Sequence, residues 1–209
     1  MAVGGGSYTA EMERVFVDSS VLGSKTLYDW LFLLRRELSS MFFLGTTDDV
    51  LDEAHRVWRR RRPEAGGAMR AQRETLFRAN FDEITSDWEG KVAPVLDVDD
   101  SHVHNAAVGT GADILLTDNV KDFGDPDRLP YDIYSPDEFF CLIYENAPDA
   151  VRAVALKQIR YWRRRAEVSQ GAKSKGLAEA LADAGCPEFA QRVRESLEFL
   201  SGVRAEPGR

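Results

Sequence analysis

The sequence predicts an α/β fold with a mostly parallel central sheet and a C-terminal helical extension. Three observations carry that reading. Short β-branched and aromatic runs, at residues 14–18 and 113–117, end in acidic or hydroxyl residues. Segments with helical apolar spacing separate such runs, which is the alternation of a parallel sheet. From Asn146 onward the spacing is helical throughout.

Residues 14–18, Arg-Val-Phe-Val-Asp, read as a buried strand with Asp18 at its carboxyl end. Residues 26–36 read as a helix, with Leu27, Trp30, Leu31 and Leu34 on one face and Leu38 continuing the spacing. Residues 41–44 form a second strand, stopped by Gly45. Thr46 or Thr47 caps the next helix, with Asp48 and Asp49 in its first turn. Val50, Ala54, Val57 and Trp58 mark its buried face, and Glu53 lies beside that face. The helix runs out through Arg59, Arg60, Arg61 and Arg62 to Pro63, and residues 70–80 form another.

Residues 92–98 read as a strand interrupted by Pro94. Asp99, Asp100 and Ser101 start a helix whose small face is Val103, Ala106, Ala107 and Thr110, and Gly109 and Gly111 end it. The strand at 113–117 leads into a polar cluster from Asp118 to Asp122, and residues 131–134 form one more strand. Ser135 and Pro136 open a helix carrying Phe139, Phe140, Leu142 and Ile143. Pro148 starts the next, with Val151, Val154, Ala155, Ile159 and Trp162 inward; residues 177–184 form a short one ended by Gly185. Pro187 opens the last, with Phe189, Val193, Leu197 and Leu200 inward. The expected division is a flexible leader over 1–12, an α/β domain over 13–145, a helical extension over 146–203 and a loose tail over 204–209.

Lys and Arg number 27 against 35 Asp and Glu, a formal charge of −8, which excludes a general nucleic-acid coat. Two cysteines without CxxC spacing argue against a disulfide scaffold and a structural zinc site. No apolar run reaches the roughly 18 residues of a membrane span, and no signal peptide opens the chain, so the expected compartment is the cytoplasm.

In parallel sheets functional groups gather at the carboxyl ends of the strands. Asp18, Asp100 and the 118–122 cluster, distant in sequence, should therefore meet. Clustered carboxylates repel one another unless a cation compensates, and an all-oxygen site favours Mg²⁺ or Mn²⁺. Such a site suits phosphoryl transfer. His102 and His104 are two apart and leave different faces of their helix, and His55 stands alone, so no zinc pattern competes.

These residues resemble the PIN-domain family of ribonucleases, in its VapC-type toxin branch. Val15-Phe16-Val17-Asp18-Ser19-Ser20 is similar to that family's opening strand, and Val50-Leu51-Asp52-Glu53 to its Glu-bearing helix. The most specific likeness is Asp99-Asp100-Ser101-His102-Val103, then Ala106-Ala107, then the block from Gly111 to Phe123. It covers residues 14–145, and the helical tail resembles an extension seen in one subgroup. The resemblance implies a PIN-like three-layer α/β/α nuclease domain over 13–145. It implies Mg²⁺-dependent (or Mn²⁺-dependent) hydrolysis of RNA phosphodiester bonds, a cognate antitoxin protein and a homodimer. The apolar residues of the 26–44 region are expected to be exposed and available for that dimer.

Carried over, Asp18, Glu53 and Asp100 match the first three acids, with Asp18 and Asp100 holding the metal and Glu53 orienting or deprotonating the attacking water. The fourth place departs from the pattern, because Asn119 stands where many relatives have Asp. Asp122 with Asn119 in support is the favoured completion, and Asp118 ranks third. Ser20 is expected to hydrogen-bond near Asp18.

Arg56 and the run Arg59 to Arg62 surround Trp58, and a second basic run follows Arg160. Arg56, Arg59 and Arg60 are candidates for phosphate contact. The plainer reading of these runs is a solvated helix end that complements the dipole. Trp58 and Trp162 fall on apolar faces and read as core anchors. The rival to an enzyme is an inactive PIN-like module that binds RNA or a protein, motivated by Asn119. A haloacid-dehalogenase phosphatase would need Asp where Ser20 stands. A Toprim enzyme would need its Glu at a strand end, whereas Glu53 falls within a helix.

Overall fold

Val15, Phe16 and Val17 are all buried, although successive strand residues point to opposite faces. Layers therefore cover both sides of the strand they occupy, β1 (Glu13–Val17). The computed structural model describes residues 12–86, 101–168 and 176–205 of the 209. It is an α/β/α protein of the PIN-like architecture, and among the described residues its sheet has five strands, all parallel.

A short helix α1 (Ser19–Leu22) and α2 (Lys25–Glu37) carry the chain from β1 to β2 (Phe42–Thr47). Gly45 does not stop β2: it pairs with Phe16 and the strand continues to Thr47. α3 (Asp48–Arg61) follows at once, with Thr47 as its cap. α4 (Gly67–Arg78) leads to β3 (Glu83–Thr85), a strand the sequence does not announce. It is three residues long, half-exposed and polar, so it lacks an apolar run. The strand expected over 92–98 lies outside the described residues.

α5 (Ser101–Gly109) ends where Gly111 takes φ 66° and Ala112 N–H donates to the Ala107 carbonyl at 2.9 Å, a closure that favours glycine. β4 (Ile114–Leu116), two 3₁₀ turns and β5 (Asp132–Tyr134) complete the sheet in the order β3-β2-β1-β4-β5. The chain leaves β1 toward β2 on one side and reaches β4 on the other. The carboxyl ends of β1 and β4 thus flank the point where the winding reverses, where parallel sheets form crevices.

The C-terminal helices are α6 (Pro136–Asn146), α7 (Pro148–Val168), α8 (Leu177–Asp183) and α9 (Pro187–Ala205). One continuous core joins them to the sheet. Phe189 of α9 is fully buried, edge-on to Trp30 of α2 at 5.1 Å and tilted on Phe140 of α6 at the same separation. Asp137 of α6 accepts the Phe189 and Glu188 amides at 2.8 and 3.1 Å, capping α9 from another helix. This packing also corrects the expectation of an exposed apolar surface over 26–44. Leu27, Tyr28, Trp30, Leu31, Phe32 and Leu34 are buried, and among the large apolar residues of that stretch only Met41 is well exposed. The apolar face of α2 meets α7 and α8 of the same chain.

A polar network lies under α3. Arg73 of α4, 5% exposed, donates to the Leu22 carbonyl at 2.7 Å and to His55 Nδ1 at 2.8 Å. A guanidinium has no acceptor, so Nδ1 must be unprotonated and Nε2–H donates to Glu74 at 2.5 Å. Burial, and then the Arg73 charge, hold the His55 pKa below its ordinary value against the pull of Glu74. Burial does the same for His104, which packs on Tyr131. Both imidazoles therefore favour the neutral form when folded, and the unfolded chain takes up protons first. Their contribution is full above pH ~6.5 and is lost as pH falls through the lower folded values. The melting temperature is expected to drop between pH 7.5 and 5, and less so in His55→Gln; an unchanged melting temperature would refute this.

Candidate active site

Asp18 leaves the end of β1 and caps α1, its Oδ1 accepting the Ser19 amide at 2.5 Å. The side chain is only 2% exposed. Oδ2 accepts two hydroxyls, Ser20 Oγ at 2.7 Å and Thr117 Oγ1 at 2.8 Å. Each hydroxyl accepts a backbone amide in turn: Asp118 N–H donates to Ser20 Oγ at 3.0 Å and Asn119 N–H to Thr117 Oγ1 at 3.1 Å. The loop after β4 is therefore tied to the Asp18 carboxylate through two amide–hydroxyl relays. Thr117, fully buried, is a part of the site the sequence reading took only as a strand end.

Glu53 and Asp122 sit on elements that follow β2 and β4 at the same edge. Glu53 is half-buried on α3, and its Oε2 lies 3.5 Å from His102 Nε2, in the first turn of α5. α3 and the start of α5 thus face one another through this pair, a contact spacing does not reveal. Asp100, immediately before α5, lies outside the described residues. Asp122 is half-buried in the 3₁₀ turn Val120–Phe123, where its amide donates to the Asn119 carbonyl at 3.0 Å and Phe123 is buried beside it.

Asp118 is exposed and turned toward the C-terminal helices: a methyl group on Gly185 would come within 3.8 Å of its Oδ1. Gly185 has φ 89° and precedes buried Cys186, whose thiol pKa is pushed up by burial and then by the Asp137 and Asp118 charges. Arg56, Arg59 and Arg60 are exposed on α3, beyond Glu53.

The side-chain groups that touch Asp18, the Ser20 and Thr117 hydroxyls, are oxygen, which suits Mg²⁺ or Mn²⁺ rather than a softer ion. Among the described residues, no three His, Cys, Asp or Glu side chains come close enough to share an ion. No helix among these residues is long and apolar enough to cross a membrane. Comparison with protein families, with curated proteins and with solved structures finds no match to this chain.

Proposed function

We propose that the protein is a Mg²⁺- or Mn²⁺-dependent endoribonuclease of the PIN type, the toxin of a toxin–antitoxin pair. The observation that carries this reading is Asp18. A carboxylate only 2% exposed, at the carboxyl end of a central parallel strand beside the winding reversal, pairs with no cationic side chain among the described residues. Burial of a charged group at that place is costly, and a divalent ion would offset it.

Asp18 and Asp100 would hold the ion, with Asn119 and Asp122 completing its oxygen set and Asp118 as the remaining candidate. Bound there, the ion would supply an acidified water and stabilise the leaving oxygen. Glu53 would orient that water or take its proton, with His102 fixing the Glu53 carboxylate. Ser20 and Thr117 would keep Asp18 in one orientation. A cognate antitoxin, a homodimer and a cytoplasmic setting belong to the same reading.

Total RNA incubated with the purified chain is expected to be cut with Mg²⁺ and left intact with EDTA. Cleavage that persists in EDTA, or none with either Mg²⁺ or Mn²⁺, would refute the proposal. Asn119 favours a second reading, an inactive module of the same fold. Calorimetric titration with Mn²⁺ separates the two, because the inactive module takes up no ion at Asp18.

A further inference from the structure

α3 and α4 enclose a groove of about 340 Å³ lined by Arg56, Trp58, Arg59 and Arg70, with Asp49 and Asp52 toward the start of α3. Arg14, Arg35, Arg78 and Arg192 each hold a carboxylate. Arg56 and Arg59 have no such partner among the described residues. They are three apart on α3 and so share a face. Trp58 lines this groove and also packs against the buried Arg73, whose guanidinium sits 5.5 Å from the ring centroid. A chain of net charge −8 thus presents unpaired guanidinium groups next to an aromatic ring.

The groove follows Glu53 along the axis of α3, although Glu53 itself does not line it. At a rise of 1.5 Å per residue, Arg56 stands about 4.5 Å and Arg59 about 9 Å further along α3. Arginine forks match phosphate oxygens, and a half-buried indole offers a platform to any base. We infer that the groove holds a nucleotide of single-stranded RNA flanking the scissile phosphate, with its base against Trp58 and its phosphates on Arg56 and Arg59. Asp49 and Asp52 repel phosphate from the start of α3 and leave the arginine end as the track. The inference rests on the ribonuclease reading for its substrate class.

The test is anisotropy of a short fluorescein-labelled single-stranded RNA with the full chain in EDTA, across a salt series. Arg56→Gln/Arg59→Gln is expected to flatten the slope of log affinity against log salt by about 1.4, the value for two single-strand phosphates. Both side chains are exposed, so this variant keeps its fold. Trp58→Leu is expected to weaken binding about tenfold, and Trp58→Phe to restore most of it. Wild type that does not bind, an unchanged slope in the arginine variant, or a Trp58→Phe protein as weak as Trp58→Leu overturns the inference. Wild type that binds with these signatures yet does not cut RNA with Mg²⁺ refutes the ribonuclease reading and leaves the groove standing. Wild type that cuts, with an arginine variant of unchanged affinity and slope, refutes the groove alone.

Discussion

Asp18→Asn is expected to slow RNA cleavage by about a hundredfold or more while leaving a folded protein. Asn fills the same volume and keeps one acceptor oxygen. It loses the charge and turns an NH₂ group toward hydroxyls that already donate, Ser20 Oγ and Thr117 Oγ1. Those hydroxyls must rotate, and the amides of Asp118 and Asn119 that rest on them lose alignment. Bonds to a charged acceptor contribute about 1.5–3 kcal/mol each, so a stability loss of about 1–3 kcal/mol accompanies the change. Single-turnover cleavage and a thermal melt on the same sample separate the two effects. A variant that cuts RNA at the wild-type rate would reduce Asp18 to a helix cap and sink the nuclease reading.

Phe189→Ala is expected to cost about 3–5 kcal/mol of stability, the largest loss from any single site considered. The ring is fully buried between Trp30 and Phe140, so its removal leaves a void bounded by α2, α6 and α9. Against a total of roughly 5–15 kcal/mol, that is enough to bring the whole chain near unfolding. The check is urea denaturation: one transition at lower midpoint with an unchanged slope. A loss below about 1 kcal/mol, or a second transition confined to the helices, would mean that the C-terminal helices fold as a separate unit rather than as part of the shared core.

What the sequence made legible was whatever announces itself in a short window. The β1 and β4 strands are continuous apolar runs because they are covered on both faces, and the Thr47 and Ser135 caps stand beside acid-rich first turns. β3 escaped because an edge strand with one covered face needs no apolar run, and its Glu83 instead pairs with Arg14 at 2.7 Å. The end of β2 was misread because Gly45, inside a sheet, costs little when its neighbours are paired. In the site, Asp18 was marked by its place at the end of an apolar strand, and Ser20 and Glu53 by the family resemblance. Thr117 and His102 could not be assigned a role in this way, since each acquires it from a residue 99 or 49 positions away. The surface of α2 was misjudged for the same reason: its partners, Phe77 and Phe189, come from helices far along the chain.

The outer strands carry one more consequence. Among the described residues the sheet is bordered by β3 and β5, each three residues long, with Glu83 on one and exposed Asp132 on the other. Brief, acid-bearing margins give an incoming strand little backbone to zip onto and a charge to bury. A second copy of this chain is thereby steered away from extending the sheet and toward contact through its helices, and the same margins guard crowded chains against fibrous aggregation.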